Sequence, residues 1–69
     1  MMRLFKYQHL PPRLQQVSMP FGLVAQWLVH SLPDTEQTRL ALQRLVEAKD
    51  CAVRSVLDMP PEYSVAPFT

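Results

Sequence analysis

Residues 35–58, which read TEQTRLALQRLVEAKDCAVRSVLD, decide the fold. This stretch contains no glycine or proline and is rich in alanine, leucine, arginine, glutamine and glutamate, which favour helix. About 24 residues form a helix roughly 36 Å long. The apolar residues recur at spacings of three and four, which predicts one buried stripe made of Leu42, Leu45, Val46, Ala52, Val53 and Val56.

Charged and polar residues define the start and the outer face of this helix. Asp34 is the predicted N-cap, and Gln37 three residues later completes a pair that resembles a capping box. Asp50 and Arg54 are four residues apart, a spacing at which opposite charges meet on a helix. Lys49 falls inside the apolar stripe, where a lysine either extends its ammonium to water or reaches a ligand or a neighbouring chain.

A second helix is predicted upstream, over residues 13–32. One apolar stripe there contains Leu14, Val17, Phe21, Val24 and Leu28, and a second contains Leu23 and Trp27. Pro20 predicts a kink or a break in this helix. A short connection at Pro33 and Asp34 then gives an antiparallel hairpin. We therefore predict an all-α fold: a short N-terminal arm or helix, followed by a helical hairpin with a Pro-kinked first helix.

The two ends of the chain are predicted to lie outside the hairpin helices. The basic and aromatic arm, residues 1–10, lacks the apolar run of a signal peptide and ends at Pro11 and Pro12, which favours extended backbone. Residues 59–69 contain three prolines and are predicted to form an extended or disordered tail. Residues 1–58 are the predicted domain.

Size and charge limit the class of protein. A chain of 69 residues allows one small domain, which is marginally stable unless something reinforces it. With a single cysteine, Cys51, no internal disulfide can form, so self-association is the default expectation. A net charge of +1 argues against a general DNA-coating protein or a membrane-surface peptide. Residues 14–33 are long enough to span a membrane, but their polar content favours a buried helix of a soluble protein.

The residue types favour binding over catalysis. Known catalytic motifs are absent from the sequence, and Cys51, His9 and His30 do not have the spacing of metal ligands. We therefore expect no enzyme activity, no metal and no cofactor. The arm places Phe5 and Tyr7 beside cations, a combination that suits a nucleobase and its phosphate. Alternatively, these two rings pack the arm against the helices.

Three segments together resemble a known family. They are FKYQH at residues 5–9, an apolar helix that ends in Leu32 and Pro33, and ALQRLVEAKDCAVR at residues 41–54. This order is similar to that of small phage anti-CBASS proteins, which act as cyclic-nucleotide sponges. Their helical-hairpin domain is shared with phage sponges that counter the Thoeris system. The resemblance covers about residues 4–57.

The resemblance implies a phage immune-evasion protein that assembles as a homohexamer in the cytoplasm of the infected bacterium. Such a protein binds cyclic dinucleotides of the cyclic GMP-AMP type and cyclic trinucleotides of the triadenylate type without cleaving them. Sequestration of these messengers blocks CBASS-type antiviral signalling. Neither DNA nor a membrane is an expected partner.

The resemblance also implies roles for individual residues. Tyr7 corresponds to the tyrosine that stacks on a base of the dinucleotide, and Gln8, Ala52 and Arg54 correspond to residues of the trinucleotide site. The phosphate-binding cation of the family's first helix aligns with uncharged residues, Ser18 or Met19. Arg13 and Lys49 are the candidates that could supply this charge instead.

Two other classes of function compete with the sponge. One is a small oligomeric protein–protein adaptor, or an inhibitor of a host protein, with Trp27 as the buried anchor. The other is a small DNA-binding regulator with a helix-turn-helix-like arrangement. The four acidic residues of the long helix make it a poor surface for a phosphate backbone.

Overall fold

The computed structural model describes residues 2–60 and 62–66, and this part of the chain is all-helical. It contains a 3-10 helix, η1 (Met2–Phe5), and two α-helices, α1 (Pro12–Ser31) and α2 (Glu36–Leu57). The two α-helices pack against each other, and η1 packs against α1. The predicted all-α hairpin is therefore confirmed at the level of two packed helices. The hairpin is elongated, with extents of 42 × 21 × 18 Å.

Prolines set both ends of α1. Pro12 occupies the first turn, where its missing N–H costs no helical hydrogen bond. Leu32 is extended, as expected for a residue before proline, so the helix ends at Ser31. The helix continues through Pro20, so the predicted break into two helices is wrong. The kink at Pro20 stays a prediction.

The start of α2 differs from the prediction by one residue. Thr35 is the N-cap, and its Oγ1 accepts a hydrogen bond from the backbone N–H of Thr38 at 3.2 Å. The predicted cap, Asp34, is wrong because its carboxylate is held by Arg39. The guanidinium donates to both carboxylate oxygens, Nε at 3.1 Å and Nη2 at 3.3 Å. The hydrogen bonds from Arg39, together with its positive charge, lower the pKa of Asp34.

The core lies where η1, α1 and α2 meet. It centres on Phe5, Ala25 and Leu42, with partly buried residues around them: Met2, Phe21, Leu28, Leu45 and Val46. All six residues of the predicted stripe on α2 are buried or half-buried. On α1 four of the five residues of the first predicted stripe are half-buried, all but Val24, while the small residues Ser18, Gly22 and Ala25 are buried. The reason is steric, because small side chains allow the neighbouring backbone to come closest.

The N-terminal arm is folded and not extended. Phe5 is only 3% exposed and fixes η1 to the core. A hydrogen bond of 3.0 Å from the N–H of Leu10 to the carbonyl oxygen of Tyr7 then turns the chain. The side chain of Gln15 secures this turn from α1, since its Nε2 donates to the carbonyl oxygens of Leu10 at 2.6 Å and Gln8 at 3.2 Å. The extended backbone predicted for the arm is therefore wrong, whereas the short N-terminal helix that the fold prediction also allowed is present as η1.

After α2 the chain passes beside α1. A turn closes with a 3.0 Å hydrogen bond from the N–H of Tyr63 to the carbonyl oxygen of Pro60, and Val65 and Ala66 then lie near Val17. The prediction for the tail also includes residues 61 and 67–69, which lie outside the described residues. Among the helices of the described part, none is long and apolar enough to cross a membrane.

Candidate ligand-binding cleft

A cleft of about 290 Å³ opens between the arm and α1. We call it the arm cleft. It is defined by residues from two elements: Met2, Arg3, Phe5, Lys6, Tyr7 and Gln8 from the arm, and Gly22, Leu23 and Gln26 from α1. The lining combines two aromatic rings, Phe5 and Tyr7, with two cations and two carboxamides. These groups suit a planar, anionic ligand.

The buried Phe5 positions the polar side of the arm cleft. Because Phe5 is anchored in the core, the three residues after it are held next to α1. The Tyr7 ring packs beside Gly22, where a Cβ atom would lie 3.7 Å from both Cδ1 and Cε1 of the ring. The ring is half-buried and therefore partly available to a ligand.

Positive charge and amide groups surround this ring. Arg3 and Lys6 are exposed, and neither forms an ion pair within residues 2–60 and 62–66. The Oε1 of Gln8 accepts a 3.3 Å hydrogen bond from the backbone N–H of Tyr7. Its Nε2 therefore stays available as a donor. Gln26 lies across the cleft on α1 and offers a second carboxamide.

The arm cleft contains two of the six predicted ligand-binding residues, Tyr7 and Gln8. A third, Arg13, lies near the end of α2 instead, where its Nη2 donates to the carbonyl oxygens of Met59 at 3.4 Å and Pro60 at 3.2 Å. Its Nε is buried without a hydrogen-bond partner in the described part of the chain. These contacts give Arg13 a structural role, since it ties the start of the tail to α1.

The other three predicted residues lie on α2, away from the arm cleft. The side chain of Lys49 is 16% exposed, and its Nζ pairs with the Oδ1 of Asp50 at 2.9 Å. Asp50 therefore does not make the predicted pair with Arg54. Ala52 is half-buried and Arg54 is exposed. Within one chain these residues do not join Tyr7 in a single site.

The α1 side of the arm cleft was not predicted from the sequence. Gly22 and Gln26 are four residues apart, so both face the returning arm. The sequence could have indicated the role of Gly22, because a glycine inside a predicted helix often marks a close approach of another backbone. Arg3 belongs to the basic arm that the analysis identified, but it was not assigned to a site.

A second concave surface is almost entirely apolar. This apolar groove has a volume of about 420 Å³ and is lined by residues of α1, α2 and the tail: Gln16, Val17, Pro20, Phe21, Val24, Leu45, Val65 and Ala66. None of these side chains carries a charge. Elsewhere on α1, Trp27 is 61% exposed and Leu23 is also exposed. The described chain therefore leaves much apolar surface uncovered.

The described residues contain no group of three or more histidine, cysteine, aspartate or glutamate side chains that could hold a metal ion. The thiol of Cys51 is free and exposed. Comparisons with protein-family models, with curated proteins and with solved structures find no match for this chain. The fold and the arm cleft thus define the chain as a helical hairpin with a small polar and aromatic cleft.

Proposed function

We propose that this protein is a sponge for cyclic oligonucleotide messengers, which it binds and sequesters without cleaving them. The observation that carries the proposal is the arm cleft, where the Tyr7 ring lies beside Lys6 and Arg3. Stacking of a base on an aromatic ring contributes about 1–3 kcal/mol. Hydrogen bonds from cations to phosphate are among the stronger polar contacts. The described groups therefore match both parts of a nucleotide.

The location of the cations alters the proposed phosphate site. Arg13 is engaged with the carbonyl oxygens of Met59 and Pro60, and Lys49 is paired with Asp50. Either would have to give up these contacts to bind phosphate. Lys6 and Arg3 already line the arm cleft, so we propose that they bind the phosphates of a cyclic dinucleotide.

The arm cleft is small, and its volume supports the assembly of several copies of the chain around one ligand. Sites for small molecules typically enclose about 300–1,000 Å³. At about 290 Å³, the arm cleft is the size for one nucleotide unit and leaves the rest of a cyclic ligand uncovered. We propose that another copy of the chain covers that remainder, as in the homohexamer that the family resemblance implies. The exposed Trp27 and Leu23 offer apolar surface for contacts between copies.

A separate trinucleotide site would use α2. Ala52 and Arg54 lie two residues apart, and the exposed Arg54 has a guanidinium that suits phosphate or a base edge. Gln8 would reach this site only from another copy. The messengers are made inside bacteria under phage attack, so the proposed location is the cytoplasm of the infected host.

The test compares two tyrosine variants by titration calorimetry with a cyclic GMP-AMP dinucleotide. Tyr7→Ala removes the proposed stacking surface, and we expect binding to weaken by about 5- to 150-fold. Tyr63→Ala is the matched control, because Tyr63 is 61% exposed and lies outside the arm cleft. Equal affinities of the two variants would reject the arm cleft as the nucleotide site.

The exposed Trp27 favours a second candidate function, a protein–protein adaptor or an inhibitor of a host protein. The solution mass of Trp27→Ala distinguishes the two proposals. If Trp27 packs between copies of this chain, the variant dissociates into smaller species. If the mass is unchanged and the protein binds no cyclic nucleotide, the adaptor becomes the better proposal.

A further inference from the structure

Gly22 is an unusual residue for its place in the fold. It lies inside α1, and no glycine in the described residues has a positive φ, so the backbone there does not require glycine. In a helix interior, glycine is about 0.5–1 kcal/mol less favourable than alanine. The same turn also contains Pro20, a second unfavourable residue. The helix is therefore weakened where the arm packs against it.

The contacts of Gly22 explain why a residue without a side chain is found at this position. A Cβ atom at this position would lie 3.3 Å from the carbonyl oxygen of Phe5, closer than ordinary van der Waals contact, and 3.7 Å from two carbon atoms of the Tyr7 ring. The neighbour at 3.3 Å is a backbone atom of a residue fixed in the core. It can give way only if the backbone of the arm shifts with it.

We propose that Gly22 is a positioning residue for the arm cleft: the absence of a side chain there lets the arm hold the Tyr7 ring in its binding position. The part of this inference that concerns ligand binding rests on the proposed nucleotide-binding function. A methyl group at residue 22 shifts the carbonyl of Phe5 by a few tenths of an ångström. Because Tyr7 follows two residues later, the shift moves the ring and reshapes the cleft.

The test is the variant Gly22→Ala, with two separate readouts. Alanine is the better helix former, but the close contact of its methyl group with the carbonyl oxygen of Phe5 opposes this gain, so we expect the urea midpoint of unfolding to change little. Affinity for a cyclic GMP-AMP dinucleotide should nevertheless fall at least fivefold, which corresponds to about 1 kcal/mol, the lower value for base stacking. A role limited to helix stability predicts the opposite, unchanged or tighter binding.

The control is Ser55→Ala, an exposed position inside α2 and far along the chain from the arm. It also improves helix propensity, so it should raise stability without any change in affinity. If Gly22→Ala alone is too unstable to study, the same comparison is made in the Ser55→Ala background. Equal affinity of Gly22→Ala and the unaltered protein would overturn the proposal.

A measurement without ligand separates this inference from the proposed function. Proton NMR of the free protein reports two proximities of the Tyr7 ring, to the side chain of Leu23 and to the side chain of Gln26, which line the same cleft and which the substitution leaves intact. We expect both to change in Gly22→Ala and to persist in Ser55→Ala. If the unaltered protein binds no cyclic nucleotide but the ring moves as expected, the proposed function fails while the positioning role holds. An unmoved ring rejects the positioning role.

Discussion

Replacement of Phe5 by alanine should destabilise the fold far more than any other change in the arm. Phe5 is 3% exposed and packs with Ala25 and Leu42 at the meeting point of all three helices. Removal of a buried phenylalanine side chain typically costs about 3–5 kcal/mol. The arm lies at one end of the chain and is able to relax, so we take the lower value, about 3 kcal/mol.

The loss of about 3 kcal/mol is large compared with the free energy of unfolding of the whole chain. At about 0.1 kcal/mol per residue, a chain of 69 residues has a free energy of unfolding near 7 kcal/mol. The assay is urea unfolding followed by circular dichroism at one fixed protein concentration. With a slope of about 1 kcal/mol per molar urea, the midpoint should fall by roughly 3 M.

Leu4→Ala is the matched control, since Leu4 lies in the same 3-10 helix and is 47% exposed. Its replacement should cost no more than about 1 kcal/mol. Midpoints of the two variants within about 0.5 M of each other would refute the role of Phe5 as the anchor of the arm.

Three further predictions concern the connection and the tail. Thr35→Ala removes the N-cap of α2 and should cost about 1 kcal/mol in urea unfolding; no measurable loss would contradict the capping contact. Arg39 lowers the pKa of Asp34, so this pair stabilises the fold above the ordinary carboxyl pKa and the effect is lost as pH falls through the folded pKa. In an NMR titration, Arg39→Gln should therefore raise the pKa of Asp34, and an unchanged titration would argue against the pair. Arg13→Gln removes the hydrogen bonds to the start of the tail and should speed amide hydrogen exchange at residues 62–66, whereas unchanged exchange would show that Arg13 does not hold the tail.

The sequence predicted α2 closely, and the physical reason is clear. The predicted span, residues 35–58, and the observed helix, Glu36–Leu57, differ by one residue at each end. A long run of good helix formers with a single apolar stripe has few competing structures. The exact cap was missed because Asp34 and Thr35 are both good caps. The choice between them depends on Arg39, which binds Asp34 from the next turn.

The buried face of α1 was predicted only in part, since four of the five residues of its first stripe are half-buried. Hydrophobic patterns give weight to large side chains, and they placed Val24 in the core, where it is exposed. Close packing instead selected small residues, including Ser18 and Ala25. The position of the arm against this face also depends on the hydrogen bonds of Gln15 and on the turn before Pro11. Such contacts between distant residues leave no periodic signal.

The candidate site was also predicted only in part from the sequence. Tyr7 and Gln8 were both predicted as ligand-binding residues, but for two different sites, and the structure places them in one cleft. Gly22 and Gln26 join them only because the arm folds back. Arg13 was predicted as a substitute for the phosphate-binding cation that the resemblance implies, because it is the nearest upstream cation, yet it contacts carbonyl oxygens at the end of α2. Charge and proximity in sequence do not reveal such a partner.

One measurement decides whether this hairpin is a cyclic-nucleotide sponge: the melting temperature and native mass of the purified protein with a cyclic dinucleotide and with cyclic triadenylate. A ligand at a hundredfold excess over its dissociation constant stabilises the folded state by about 2.7 kcal/mol, roughly 10 °C or more for a domain of this size. We expect a hexamer whose melting temperature rises with at least one ligand, and which releases that ligand intact on heating. A smaller species that responds to neither ligand, or a ligand recovered in cleaved form, would contradict the proposal.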